Sequence, residues 1–220
     1  MLLTKAILFL LVGMLFVGIL VFLPAGTLSF HNGWLLMGVL FIPMLLMGVV
    51  MFFRAPDLLQ KRLNHKEKQG EQKAVVSLSA LMFLCSFVVS GLDFRFGWSA
   101  MPKWLIVLSA VLFLAGYAMY AEVLRENAYL SRTVEVQAGQ KVVSTGLYGV
   151  VRHPMYSATL LMFLSMPLIL GSWWGLIIQL VYPALIIVRL QAEERLLVQE
   201  LDGYAEYRQK VKFRLIPGIW

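Results

Sequence analysis

Residues 33–53 read GWLLMGVLFIPMLLMGVVMFF, 21 positions without an Asp, Glu, Lys or Arg. As a helix rising 1.5 Å per residue this stretch reaches ~31 Å, the thickness of a bilayer's hydrocarbon core. Pro43 inside it predicts a kink. Three more stretches lack those four residue types: Ala6–Leu23, Ala74–Leu92 and Trp104–Ala121, of 18, 19 and 18 residues. Two shorter apolar runs, Tyr156–Leu170 and Trp173–Val188, are joined by Gly171-Ser172 and carry Pro167 and Pro183. With 60% hydrophobic and only 14% charged residues, the chain lacks the quarter of charged residues usual in a soluble domain. The fold class that follows is an all-α polytopic integral membrane protein. Four scaffold transmembrane helices precede a C-terminal helical hairpin, and an amphipathic cytoplasmic helix from Arg189 onward follows it.

The first apolar run is read as a retained span. Leu23-Pro24-Ala25-Gly26 is a poor small-x-small cleavage site, and the run exceeds a typical signal-peptide core. The net charge of +7 is concentrated in 54–73, 122–154 and the tail, whereas 24–32 and 93–103 carry only Arg95 and Lys103. That alternation is the positive-inside pattern. It predicts that both termini and the polar motifs lie on the cytoplasmic side, against anionic lipid. No basic stripe interleaved with aromatics suggests nucleic acid. Trp34, Trp98 and Trp104 suit interfacial anchors, and the lone Cys85 suits packing.

The division into a scaffold, 1–121, and a working region, 122–220, rests on where the polar chemistry lies. Residues 133–143 alternate about Ala138-Gly139-Gln140 and predict a short β-hairpin. Residues 146–156, GLYGVVRHPMY, follow. Proline disfavours the helical region for the residue before it and is itself favoured at a helix start. His153 is therefore expected at an N-cap, with Met155 onward helical. The N-terminal dipole and the Arg152 fork together suit an anion, with Tyr148 and Tyr156 flanking. A juxtamembrane basic-aromatic belt is the plainer reading of any one of these residues.

A second polar cluster, Arg189-Leu-Gln-Ala-Glu193-Glu194, ends the last apolar run. Arg189 and Glu193 are spaced to pair on one helix face, while Glu194 lies about 100° further round, so one carboxylate is left for a ligand. If the hairpin closes, Arg152, His153, Tyr156, Glu193 and Glu194 ring one pocket. Glycine-rich nucleotide loops, a nucleophile elbow and H-E-x-x-H are all absent from the sequence. Three scattered histidines do not make a metal site.

The pattern G-x-Y-x-x-x-R-H-P-x-Y, then R-x-x-x-E-E-x-x-L, then Tyr204-x-x-Tyr207 and Pro217, resembles the isoprenylcysteine carboxyl methyltransferase family and its wider membrane phospholipid methyltransferase group. The resemblance covers about the last third of the chain. It implies an S-adenosyl-L-methionine-dependent methyltransferase acting on a lipophilic acceptor that enters sideways from the membrane, most directly the carboxylate of an isoprenylcysteine. A phospholipid amine and a small thiol are the alternative acceptors; an NADPH-dependent membrane reductase and a non-enzymatic lipid-binding subunit are the other readings. By the same resemblance Gly146, Tyr148, His153, Pro154, Tyr156, Glu193, Glu194 and Tyr204 form the cofactor site. Arg152 and Glu194 are the catalytic candidates, and Arg152 and Arg189 face the acceptor, unless Arg152 holds the cofactor's own carboxylate. The segment Leu201-Asp202-Gly203-Tyr204 departs from the family's Phe-Gly-x-x-Tyr and is one residue shorter.

Overall fold

The structure, a computed structural model, describes residues 2–63, 70–130 and 136–220. Its helices are α1 (Leu2–Ala25), α2 (His31–Arg54), α3 (Pro56–Leu63), α4 (Gly70–Phe96), α5 (Lys103–Glu126), α6 (Pro154–Ile169), α7 (Trp173–Gln179), α8 (Tyr182–Glu200) and α9 (Tyr204–Lys210). A 3-10 turn at Gly146–Gly149 precedes α6. No strand occurs among the described residues. Residues 131–135, which hold most of the first arm of the predicted hairpin, lie outside them. The described remainder turns at Gln137–Gln140, with Gly139 at φ +72° and no ladder.

Five helical segments are long and apolar enough to cross a bilayer: α1, α2, Lys73–Phe96 of α4, α5, and Trp173–Glu200 comprising α7 and α8. The protein is a multi-pass integral membrane protein. Side chains such as Leu8, Leu15, Leu46 and Val111 are more than half exposed along these spans, as lipid-facing residues are. The helix through Pro43 runs unbroken from His31 to Arg54.

Because lipid is as apolar as leucine, the spans gain little from burying methyl groups and associate by close packing. Gly116 of α5 shows this: a Cβ there would stand 2.7 Å from Met162 Cγ and 3.0 Å from the Ala158 carbonyl of α6. Gly91 of α4 similarly lies against the Val21 carbonyl of α1, 2.6 Å from where a Cβ would be. The core between them holds Val21, Phe22, Leu36, Phe87, Phe113, Met162 and Ile169.

At the bundle end that carries the α1–α2, α4–α5 and α6–α7 turns, Asp93 is 2% exposed and gathers three donors. Ser99 donates from its N–H (2.7 Å) and its hydroxyl (2.6 Å), and the Ser172 hydroxyl donates as well. Ser172 in turn caps α7 by accepting from Gly175 N–H. The only acid that the sequence places near this end is thus a latch holding α4, the 97–102 turn and α7 together.

One correction concerns the last third. The amphipathic stretch from Arg189 is not a separate helix; it continues α8, which begins at Tyr182. The break falls earlier, at Leu180-Val181, because Pro183 has no N–H to donate to the Gln179 carbonyl and is tolerated only in a first turn. Beside that break Gln179 is 1% exposed, and neither its side-chain nitrogen nor its oxygen has a partner among the described residues. An unpaired buried amide costs about 1–3 kcal/mol. Gln179→Leu, of similar volume, is therefore expected to raise the thermal midpoint in detergent by several degrees; a fall would mean that the amide has a partner.

Candidate active site

The site forms where three chain segments meet at the opposite end of the bundle. The 3-10 turn delivers Tyr148, and Gly146 makes the turn possible with φ +55°. A Cβ at Gly146 would also stand 3.1 Å from the Glu126 carboxyl carbon at the end of α5. Pro154 starts α6 at its first position with His153 as N-cap, as the sequence predicts. The segment after α9 then runs back beside this cap: Arg152 N–H donates to the Phe213 carbonyl and His153 N–H to that of Arg214. The Ser157 hydroxyl donates to the Leu215 carbonyl at 2.6 Å. Backbone pairing thus fixes the motif before any ligand is considered.

The two polar clusters, some forty positions apart in sequence, come together. Glu194, 4% exposed, is the centre of a closed knot. Its Oε1 accepts from Arg152 Nε at 2.6 Å and lies 3.2 Å from His153 Nε2, while Oε2 accepts from Arg214 Nε at 3.1 Å. Arg152 Nη1 donates further to the carbonyls of Val211 and Lys212, both at 2.9 Å. Arg152 is 7% exposed. Three of its hydrogen bonds therefore go to the protein rather than to an anion at the helix start.

Glu193 does the opposite. It accepts from the Tyr156 hydroxyl, lies 4.0 Å from His153 Nδ1, and keeps 27% of its side chain exposed. It borders a cleft with about 820 Å³ of empty space, the part open to solvent included. Tyr148, Arg152, His153, Tyr156, Arg189, Glu193 and Tyr204 of the expected set line that cleft; Gly146, Pro154 and Glu194 are not among its lining residues. Arg189 donates from Nε to the Tyr156 hydroxyl at 3.2 Å, which places it one helical turn deeper than Glu193 on the membrane side.

Several lining residues had no signal strong enough to single them out. Asn127 donates to the Tyr148 hydroxyl at 2.9 Å, and Tyr207 donates to the Tyr148 carbonyl at 2.7 Å. Val142, Leu197 and Leu201 supply an apolar wall. Tyr207 belongs to the tail pattern in the sequence; Asn127 and Val142 have no motif around them. The shortened tail segment works through Gly203, whose φ of +80° starts α9 and buries Tyr204.

Burial, the largest cause, pushes the Tyr148 hydroxyl up to about 12, and the Asn127 hydrogen bond offsets this in part. Tyr204 is raised too, first by burial and then by the negative charges of Glu194 and Glu193. Both are therefore neutral donors at physiological pH. The Tyr204 hydroxyl has no partner among the described residues although it borders the cleft, and an orphaned buried donor is costly unless something else accepts from it. Tyr204→Phe is expected to leave the thermal midpoint of the ligand-free protein unchanged or slightly higher. The ligand-induced rise in that midpoint should shrink. Equal rises in both proteins would mean that the hydroxyl meets no ligand.

The sequence profile of the phospholipid methyltransferase family matches residues 104–202, a range that runs from α5 through the cleft to the end of α8. Over this range, a little under half of its length, the chain is similar to the phospholipid methyltransferase family. It is similar to methanethiol S-methyltransferase 2 of Bradyrhizobium diazoefficiens, with 31% identity over 118 residues, 53% of this chain. The match spans 43% of that relative's length, less than half of it. The fold is that of the eukaryotic intramembrane Ras methyltransferase, an isoprenylcysteine carboxyl methyltransferase. The TM-score is 0.50, with 16% identity over 97% of this chain and 84% of the other. In this fold the two sequence clusters, at 146–156 and 189–197, meet on one cleft.

Proposed function

We propose that the protein is an S-adenosylmethionine-dependent methyltransferase for a lipophilic acceptor, with its site on the cytoplasmic side and residues 122–220 as its working part. The observation that carries this reading is the pairing, on one cleft, of the partly exposed Glu193 carboxylate with the Tyr204 hydroxyl, which has no partner among the described residues. The donor set suits the cofactor. Glu193 matches an ammonium or ribose hydroxyls, Tyr148 and Tyr204 match an adenine ring, and the His153 N-cap with its dipole matches a carboxylate. When bound, S-adenosylmethionine supplies a methyl group on a sulfonium, which a nucleophile takes in one displacement.

The protein's own part is alignment and exclusion of water. Arg152 and Glu194 act as positioning residues: their knot fixes His153 and the helix start from behind. Arg189 is the cation nearest the membrane side and the better placed of the two arginines to meet an acceptor carboxylate. A carboxylate is already nucleophilic at neutral pH, so no general base is needed.

The acceptor's tail has a route. An apolar groove between α2 and α5, lined by Pro43, Leu46, Val50, Leu114, Tyr117 and Ala121, ends at Leu124, Arg125 and Ala128. Asn127, Tyr129 and Leu130, which flank Ala128 in the chain, line the cleft. This favours an acceptor with an extended apolar tail, an isoprenylcysteine-like carboxylate above all. A small hydrophobic thiol is the second reading, favoured by the name of the bacterial relative.

The test uses the protein in nanodiscs with a heavy-methyl donor and three acceptors: a farnesylcysteine, a phosphatidylethanolamine and an alkane thiol. Mass spectrometry is expected to find the label on the farnesylcysteine carboxyl group. Label on the thiol alone would install the second reading. Stabilisation by NADPH but not by S-adenosylhomocysteine would overturn methyl transfer altogether.

A further inference from the structure

Behind the Glu194 knot, on the side away from the cleft just described, α8, α9 and the tail enclose a second, basic cleft. Arg195, Arg208 and Arg214 line it, together with Gln191 and Gln199, and Glu194 is the acid at its wall. Glu194 is already held by Arg152 and Arg214. A neighbouring hollow adds Lys212 and shares Arg208 and Arg214. Nothing in the reaction proposed above uses this surface.

Its depth follows from α8. Ala184, Val188, Gln191 and Arg195 fall on one exposed face at spacings of four, three and four residues. Val188, 49% exposed, is the last apolar residue of that face before the polar pair. Arg195 is two turns further, about 10 Å along the axis, which is headgroup depth outside a hydrocarbon core of ~30 Å. The tail lies at the same level. Leu215 is tied to the first turn of α6 by the Ser157 hydroxyl, and Trp220 packs against the core that holds Val75 and Tyr156. From that anchored loop Ile216 and Ile219 project, 47% and 77% exposed. Apolar side chains pointing outward beside arginines and a lysine are the arrangement by which a surface element lies in a membrane interface.

We propose that this basic cleft binds the phosphate of an anionic phospholipid, with Ile216 and Ile219 set among the adjacent acyl chains. The lipid's role is docking and not that of an acceptor, since the Arg152–Glu194 pair stands between its phosphate and the cofactor cleft. The inference depends on α8 crossing the membrane and is independent of which methyl acceptor is used.

Native mass spectrometry of the full chain tests it, with phosphatidylglycerol and phosphatidylcholine of matched acyl chains competing for the protein in neutral detergent. Wild type is expected to retain phosphatidylglycerol over phosphatidylcholine by tenfold or more. Arg208 and Lys212 are both exposed and outside the cofactor cleft, so Arg208→Gln and Lys212→Gln leave the fold intact. Each is expected to lower the preference about fivefold, the equivalent of about 1 kcal/mol per basic residue at a membrane surface. Equal retention of the two lipids by wild type would overturn the proposal, as would a preference unchanged in the double variant. Displacement of the lipid by millimolar glycerol phosphate would overturn it too, by making the cleft a site for soluble anions. Lipid retention is read without any methyl transfer, so failure here leaves the proposed function standing.

Discussion

Glu194→Ala is expected to destabilise the protein by about 3–5 kcal/mol, the cost of removing one partner from a buried ion pair. The side chains of Arg152 and Glu194 are each 6% exposed. Without the carboxylate, the Arg152 guanidinium would keep only the Val211 and Lys212 carbonyls, and Arg214 would lose the acceptor that holds the returning tail. For a chain of this length a loss of that size lowers the thermal midpoint by on the order of 10 °C. Glu194→Gln keeps shape and acceptor oxygen but not charge, and should fall between. Thermal unfolding in detergent, with and without S-adenosylhomocysteine, decides the role of the residue. A large fall without ligand makes Glu194 structural. An unchanged midpoint combined with lost ligand stabilisation would return it to the pocket wall, the place that the sequence pattern suggests.

That contrast shows what the sequence carries and what it does not. Membrane spans are legible because their cause is local: a run such as 33–53 has no charged residue to stop it, and lipid rewards that composition wherever the chain goes. The start of α6 is legible for the same reason, since proline constrains His153 through covalent geometry alone. The break at Leu180-Val181 was half legible. Pro183 was visible, but whether a proline kinks a helix or starts a new one depends on its neighbours in space. The partner of Arg152 was not legible, because Glu194 stands 42 positions away and nearest-neighbour spacing offers only Arg189 with Glu193. The latch at Asp93 escaped for the same reason: Ser172 lies 79 positions from it. Both clusters were visible as sequence, then, but the division of labour between two adjacent glutamates was set by the tail, whose strand-like return past Arg152 and His153 has no periodic signature.

The complementary result is expected at Glu193. Glu193→Gln should weaken binding of S-adenosylmethionine or its demethylated product ten- to a hundredfold, the loss of about 1.5–3 kcal/mol that a hydrogen bond to a charged group carries. Its stability cost should stay below about 1 kcal/mol, because the side chain is 27% exposed and the amide still accepts from the Tyr156 hydroxyl. Glu193→Asp separates charge from reach: retained affinity would mean that charge on the cleft is what matters, and a loss equal to that of Gln would mean that the contact needs the longer arm. Calorimetry in detergent reads all three proteins. Wild-type affinity in Glu193→Gln would remove this carboxylate from the ligand's contacts, and with it the observation on which methyl transfer at this cleft rests. The two adjacent glutamates thus predict opposite phenotypes, one of folding and one of binding, from side chains that leave one helix about 100° apart.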